Sequence, residues 1–173
     1  MNLVATPIKI MKLSFTLILI FSVSNFINAQ ISSFPYFYDF ENENTGPTGC
    51  NPSYTMVEPG WFNSPADDMD WTNDINSTGS GSTGPIGDHT PNGDFYMYLE
   101  TSCSAIRTAN LETPVFDFTA APSPQLSFWY HMFGGQMGDL EVFIVEDTTW
   151  TPIAFISGPQ ANLWKLAYIP LDS

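Results

Sequence analysis

The chain has 173 residues and a mass of 19.2 kDa, the size of one domain. Hydrophobic residues make up 43% and aromatics 15%, enough to build a core, so wholesale disorder is excluded. Four lysines and arginines stand against 18 acids, a formal charge of −14. That balance excludes nucleic-acid binding and electrostatic docking on an anionic membrane, since both need cationic side chains.

The N-terminus reads as an export signal over residues 1–29. Lys9 and Lys12 precede the apolar run Leu13–Val23, and Ile27-Asn28-Ala29 offers a cleavage site before Gln30. The run is shorter than the about 20 residues that cross a bilayer. Met11 is an alternative start. The mature part, 30–173, keeps only Arg107 and Lys165 as cations and holds no other apolar run of membrane length. Export places Cys50 and Cys103 in an oxidising compartment, where a disulfide between them is expected. Two separate buried thiols are the alternative, which geometry decides.

The mature chain lacks helical periodicity and shows period-two alternation. Phe34, Tyr36, Tyr38 and Phe40 fall on one face of an expected first strand. Phe95, Met97 and Leu99 alternate with Asp94, Tyr96, Tyr98 and Glu100. Leu126, Phe128 and Tyr130 alternate with Ser127, Trp129 and His131, and Leu140, Val142 and Ile144 with Glu141, Phe143 and Val145. Further strands are expected near Ile153–Ser157 and Leu163–Leu171. Thr45–Pro52 and the polar stretch Ser77–Pro91 are turn and loop. Phe133–Gly138 fits a hairpin link between the strands that flank it. Fourteen prolines and twelve glycines scattered between short strands suit a sandwich or jelly roll.

An ordered set of local strings then points to one family. Asp39-Phe40-Glu41 is followed by Gly60-Trp61, Asp67-Asp68-Met69-Asp70-Trp71, and Gly84-Pro85 before Asp88-His89-Thr90. Next come Gly93–Tyr98 into Leu99-Glu100-Thr101-Ser102, and Ala109-Asn110-Leu111 before Thr113-Pro114. Leu126–Met132, Met137-Gly138-Asp139-Leu140, Gly158, Gln160 and Trp164 complete it. From about Phe34 to Ser173 this order resembles the MAM domain, named for meprin, a neuronal surface antigen and receptor tyrosine phosphatase mu.

The resemblance implies an all-β fold, a two-sheet antiparallel jelly-roll sandwich, extracellular and non-catalytic. Two departures stand out. Animal members carry cysteines beside the Asp-Phe-Glu and Gly-Trp motifs, which this chain lacks. Members also continue past the Trp164 strand to further strands and an acidic segment, so the sandwich is expected to be incomplete at its C-terminus.

Glu41, Asp68, Asp70 and Asp88, with Asp67, are the candidate cation ligands, and a structural Ca²⁺ is the cofactor they suggest. Ca²⁺ takes six to eight oxygens, and Asp68 and Asp70 point the same way in an extended segment. Some MAM domains hold a cation near the matching acidic segment. The other reading is that these acids cap turns and solvate the surface. No catalytic residues are assigned. His89 and His131 lack the His-Glu-x-x-His helix of a zinc hydrolase, and no Gly-x-Ser-x-Gly elbow is present. His131 reads as a hydrogen-bonded structural residue and His89 as part of a turn. Trp61, Trp71, Trp129 and Trp164 read as core, and Trp150 as exposed in a loop over Asp147–Pro152. Asn76-Ser77-Thr78 is a formal glycosylation sequon.

The function expected from all this is a secreted or cell-surface binding or adhesion module that engages an extracellular protein or glycan. The alternative is an accessory domain of an exported hydrolase, such as a peptidase, whose catalytic domain lies elsewhere. A third reading is a matrix or adhesin subunit that self-associates through an unpaired sandwich edge.

Overall fold

The computed structural model describes residues 30–103 and 107–171; the expected leader lies outside them. Among the described residues there are eight strands and no helix. They are β1 (Phe62–Asn63), β2 (Thr72–Ile75), β3 (Phe95–Tyr98), β4 (Leu111–Glu112), β5 (Gln125–Tyr130), β6 (Asp139–Glu146), β7 (Thr149–Ser157) and β8 (Lys165–Pro170). They pair antiparallel as β1–β4, β2–β3, β5–β8 and β6–β7. The all-β antiparallel expectation holds.

Period-two alternation marks β5 and β8 clearly. Leu126, Phe128 and Tyr130 turn inward, while Gln125, Ser127 and Trp129 face out. Across the ladder Trp129 pairs with Leu166 and Ser127 with Tyr168. β6 and β7 form a hairpin closed by Asp147-Thr148, with Asp147 at φ 55°. Two-residue hairpin turns demand positive φ, which aspartate tolerates better than most residues. A bulge falls between Val142 and Phe143.

Three expectations need correction. Phe34–Phe40 forms no ladder. Its one neighbouring bridge is the isolated parallel pair Ile31–Phe116, and Pro35 has no N–H to give. The alternation there still sorts the faces. Tyr38 and Phe40 pack on Trp61 with ring centroids 5.3 and 5.4 Å away, and Tyr36 accepts the Trp61 indole N–H at 2.9 Å. Second, Phe133–Gly138 is not a hairpin link, because β5 pairs with β8 and β6 with β7. It carries the chain from one ladder to another. Third, Trp150 lies on β7, not in a loop, though it is exposed as expected.

The most buried part of the molecule is polar. β2 reads Thr-Asn-Asp-Ile, and its first three residues are buried beside Tyr96 and Tyr98 of β3. Asn73 Nδ2 donates to the Phe40 carbonyl at 3.3 Å, and the Asn73 carbonyl accepts Gly46 N–H at 2.8 Å. Gly46 sits so close to this strand that a Cβ there would lie 1.9 Å from Thr72 Oγ1 and 2.7 Å from Tyr54 Cδ2. Only glycine fits that approach.

Next to β2 lies Glu43, 4% exposed. Its carboxylate accepts the Tyr38 hydroxyl, the Tyr54 hydroxyl at 2.8 Å, and the backbone N–H groups of Val57 at 2.9 Å and Glu58 at 3.1 Å. Burial pushes the Glu43 pKa up. The donors from Tyr38, Val57, Glu58 and Tyr54 outweigh burial and hold it below the ordinary glutamate value. The same contacts act on the phenols in reverse. Burial and the adjacent Glu43 raise Tyr38, and they raise Tyr54 to about 12.

A group with a depressed folded pKa adds stability above its unfolded pKa and loses it as pH falls through the folded value. Glu43→Gln replaces a charged acceptor with an amide that sets an NH₂ against donors. It is expected to cost about 3 kcal/mol at pH 7. Denaturant unfolding of both proteins from pH 7 to pH 3 checks this. The gap between them should close below about pH 4.5, the ordinary glutamate value. A gap independent of pH contradicts the assignment.

Candidate functional site

The acids singled out in the sequence are engaged by different stretches of backbone. Asp67 Oδ2 accepts Asn110 N–H, and Asp68 Oδ2 accepts Thr108 N–H at 2.8 Å and Thr108 Oγ1 at 3.1 Å. With Ser64 N–H and Asp68 N–H donating to the Asn110 and Thr108 carbonyls, they strap segment 64–68 to segment 108–110. The Thr108 amide and hydroxyl, with Arg107 nearby, hold the Asp68 pKa down. Asp70 Oδ2 instead accepts Tyr54 N–H at 2.7 Å.

Glu41 and Asp88 come together around Gly93. A Cβ on that glycine would lie 2.4 Å from Asp88 Oδ2 and 2.9 Å from Glu41 Oε1. Glu41 accepts Asp94 N–H and Phe95 N–H at 3.1 Å, which fastens the start of β3, and Asp88 accepts Thr90 N–H at 2.8 Å. Among the described residues, no three His, Cys, Asp or Glu side chains converge to hold a metal ion. Glu41 and Asp88 thus form a pair at Gly93, while Asp67, Asp68 and Asp70 engage separate backbone segments.

Cys50 and Cys103 are bonded to each other, with Cα atoms 5.6 Å apart. That settles the alternative left open by the sequence. The bridge closes a sequence separation of 53 residues, a loop for which the chain-entropy model gives about 4 kcal/mol. Arg107 reinforces the join by donating to the Cys50 carbonyl and to Asn51 Oδ1.

The histidines and two tryptophans meet in one aromatic cluster. His89 stacks on Trp129 with ring centroids 3.6 Å apart, and Trp164 meets His131 edge-on at 5.5 Å. Trp164 Nε1 donates to the Gly87 carbonyl at 3.2 Å, which ties the 85–89 loop down. His131 Nε2 bonds Asn162 Oδ1 at 3.1 Å, while its Nδ1 is buried without a partner. Burial lowers the His131 pKa against the opposing Asn162 bond. His131 is hydrogen-bonded as expected, and His89 sits at a bend where a turn was expected. Trp61, Trp71 and Trp164 are half-buried, with each indole N–H bonded. Trp129 departs from the core reading: it is 45% exposed on the outer face of β5, with His89 covering one side. Asn76 is exposed at the end of β2, and its carbonyl accepts the Tyr96 hydroxyl at 2.9 Å.

The sequence reading passed over Glu43. It lies two residues beyond Glu41, within Glu-Asn-Glu-Asn, and composition alone places such a run at the surface. The signal available was the pair of tyrosines, Tyr38 and Tyr54, on either side of it.

The family model for the MAM domain, meprin/A5/mu, matches residues 39–173. The chain belongs to the MAM domain family. Neuropilin-1 of Xenopus laevis is 32% identical over 113 residues, covering 58% of this chain and 12% of the relative. A MAM domain-containing glycosylphosphatidylinositol anchor protein 1 of Gallus gallus is 29% identical over 128 residues, covering 65% of this chain and 13% of the relative. Neuropilin-1a of Danio rerio is 32% identical over 123 residues, covering 61% and 13%. The chain thus matches about an eighth of the length of these relatives.

A structural Ca²⁺ held by Glu41, Asp68, Asp70 or Asp88 predicts a higher thermal midpoint in Ca²⁺ than in chelator, because a ligand bound only by the folded state raises the midpoint. Equal midpoints would contradict it.

Proposed function

We propose that this MAM domain is a non-catalytic extracellular binding module of a secreted or surface protein, engaging a protein or a glycan. Membership of the family over 39–173 carries the reading. Two further observations support it. The Cys50–Cys103 bridge suits an oxidising compartment, and relatives named for a glycosylphosphatidylinositol anchor belong at a cell surface. Among the described residues no helix is long and apolar enough to cross a membrane.

The experiment is a retention assay. Beads coated with the oxidised chain, and beads coated with the reduced and alkylated chain, are passed over cells and secreted matrix of the source culture. Oxidised beads should be held several-fold better, because losing the bridge removes about 4 kcal/mol of stability. Prior protease or glycosidase treatment of the surface then tells a protein partner from a glycan. Equal retention of the two bead types contradicts a folded binding module.

A further inference from the structure

Apart from the carboxylate straps and the aromatic cluster, a cavity of about 310 Å³ opens where segments 80–83, 100–102 and 134–137 meet. Glu100 forms one wall. Its Oε2 accepts the Tyr98 hydroxyl at 2.5 Å and Ser80 Oγ at 3.1 Å, and its Oε1 accepts Ser102 Oγ at 2.6 Å and Ser102 N–H at 2.9 Å. Thr101 Oγ1 donates to the Gln136 carbonyl at 2.6 Å, and Thr83 Oγ1 to the Ser80 carbonyl at 3.0 Å.

A hydroxyl has one proton to give and two lone pairs. The four hydroxyls that line the cavity, on Ser80, Thr83, Thr101 and Ser102, have each spent that proton on a protein acceptor. What they turn to a ligand is lone pairs. Beside them stands a carboxylate, and among the described residues no lysine, arginine or histidine lines the cavity. A phosphate or carboxylate would find neither a cation nor a hydroxyl donor there. A ligand rich in N–H donors and positively charged would find the hydroxyl lone pairs, with the Glu100 charge behind them. The four lone-pair sites of that carboxylate are already taken by Tyr98, Ser80 and Ser102. The chain's charge of −14 attracts such a ligand from a distance. The volume exceeds what a bare ion fills, and Met137 supplies an apolar wall for a methylene stem.

We propose that this cleft takes an organic cation, an alkylammonium or guanidinium group, with Glu100 as its counter-charge. A lysine or arginine side chain of a partner protein carries that group, and so does a free amine. The inference deepens the binding-module reading and rests on it for the biological partner alone. The cleft itself is tested without any partner, so its failure leaves that reading standing.

The test is a titration of the full ¹⁵N-labelled chain with n-butylammonium chloride, followed by amide shifts of Ser102, Gly134 and Gly135. Saturable shifts are expected, with n-butanol, sodium butyrate and CaCl₂ giving far smaller ones at equal concentration. Glu100→Gln should weaken butylammonium binding about tenfold, the worth of losing one nearby opposite charge. Gly135→Leu provides a second variant that leaves Glu100 and its donors in place. Gly135 lines the cavity and a Cβ there meets nothing within 4 Å, so a larger side chain is added at the cavity wall without displacing a neighbour, and binding should be lost. Absence of saturable shifts, equal shifts with n-butanol or CaCl₂, or unchanged binding in Gly135→Leu overturns the proposal. A lysine-containing peptide that binds more tightly than spermidine supports a partner side chain as the source. The reverse order supports a free amine, and either order supports the cation.

Discussion

One carboxylate that water hardly reaches organises the N-terminal half of this domain. Glu43 is 4% exposed, and a buried charge is costly unless protein donors replace its water. Here they come from two directions: Tyr38 from the extended segment before Glu43, and Tyr54, Val57 and Glu58 from the loop after it. The neighbouring contacts follow from that convergence. Tyr38 in place sets Trp61 against Phe40. Tyr54 in place lets Asn63 Nδ2 reach the Tyr54 and Trp71 carbonyls, both at 2.9 Å. Gly46 must then pass close over Thr72, and the Asn73 carbonyl receives its N–H.

The result is a domain fastened by polar groups as much as by apolar ones. Thr72, Asn73 and Asp74 lie buried where a strand would ordinarily carry valine or isoleucine. Asp67, Asp68, Asp70 and Glu41 spend their oxygens on backbone amides of distant segments. That explains how a chain with 18 acids and few cations holds together. These carboxylates keep their charge and are satisfied by N–H and O–H donors. The two cations described, Arg107 and Lys165, donate to carbonyl and amide oxygens of Cys50, Asn51 and Gln160.

The sequence was legible where a strand alternates apolar and polar residues. β3, β5, β6 and β8 lie where the period-two pattern put them, and β7 begins a few residues earlier than expected. β2 escaped notice because Thr-Asn-Asp-Ile has no apolar face. The Phe34–Phe40 segment was misread for a related reason. Alternation reports which side chains face inward, and it does not report whether a neighbouring strand supplies hydrogen bonds. The glycine-rich link at Phe133–Gly138 has turn chemistry that serves a crossover as well as a hairpin. The acid cluster at Asp67–Asp70 shows the same gap. Spacing put its carboxylates near one another in the chain, while their bonds to Thr108, Asn110 and Tyr54 depend on tertiary partners that spacing does not encode. Cys50 and Cys103 were legible because two cysteines in a chain expected to be exported have few other fates.

The central claim is that Glu43 is a buried anion satisfied by four protein donors. A ¹³C NMR titration of its side-chain carboxyl in the folded protein tests it most directly. The account predicts a midpoint below 4.5, the ordinary glutamate value, despite burial. A midpoint at or above that value would show that desolvation wins over the donors from Tyr38, Val57, Glu58 and Tyr54, and would contradict the account.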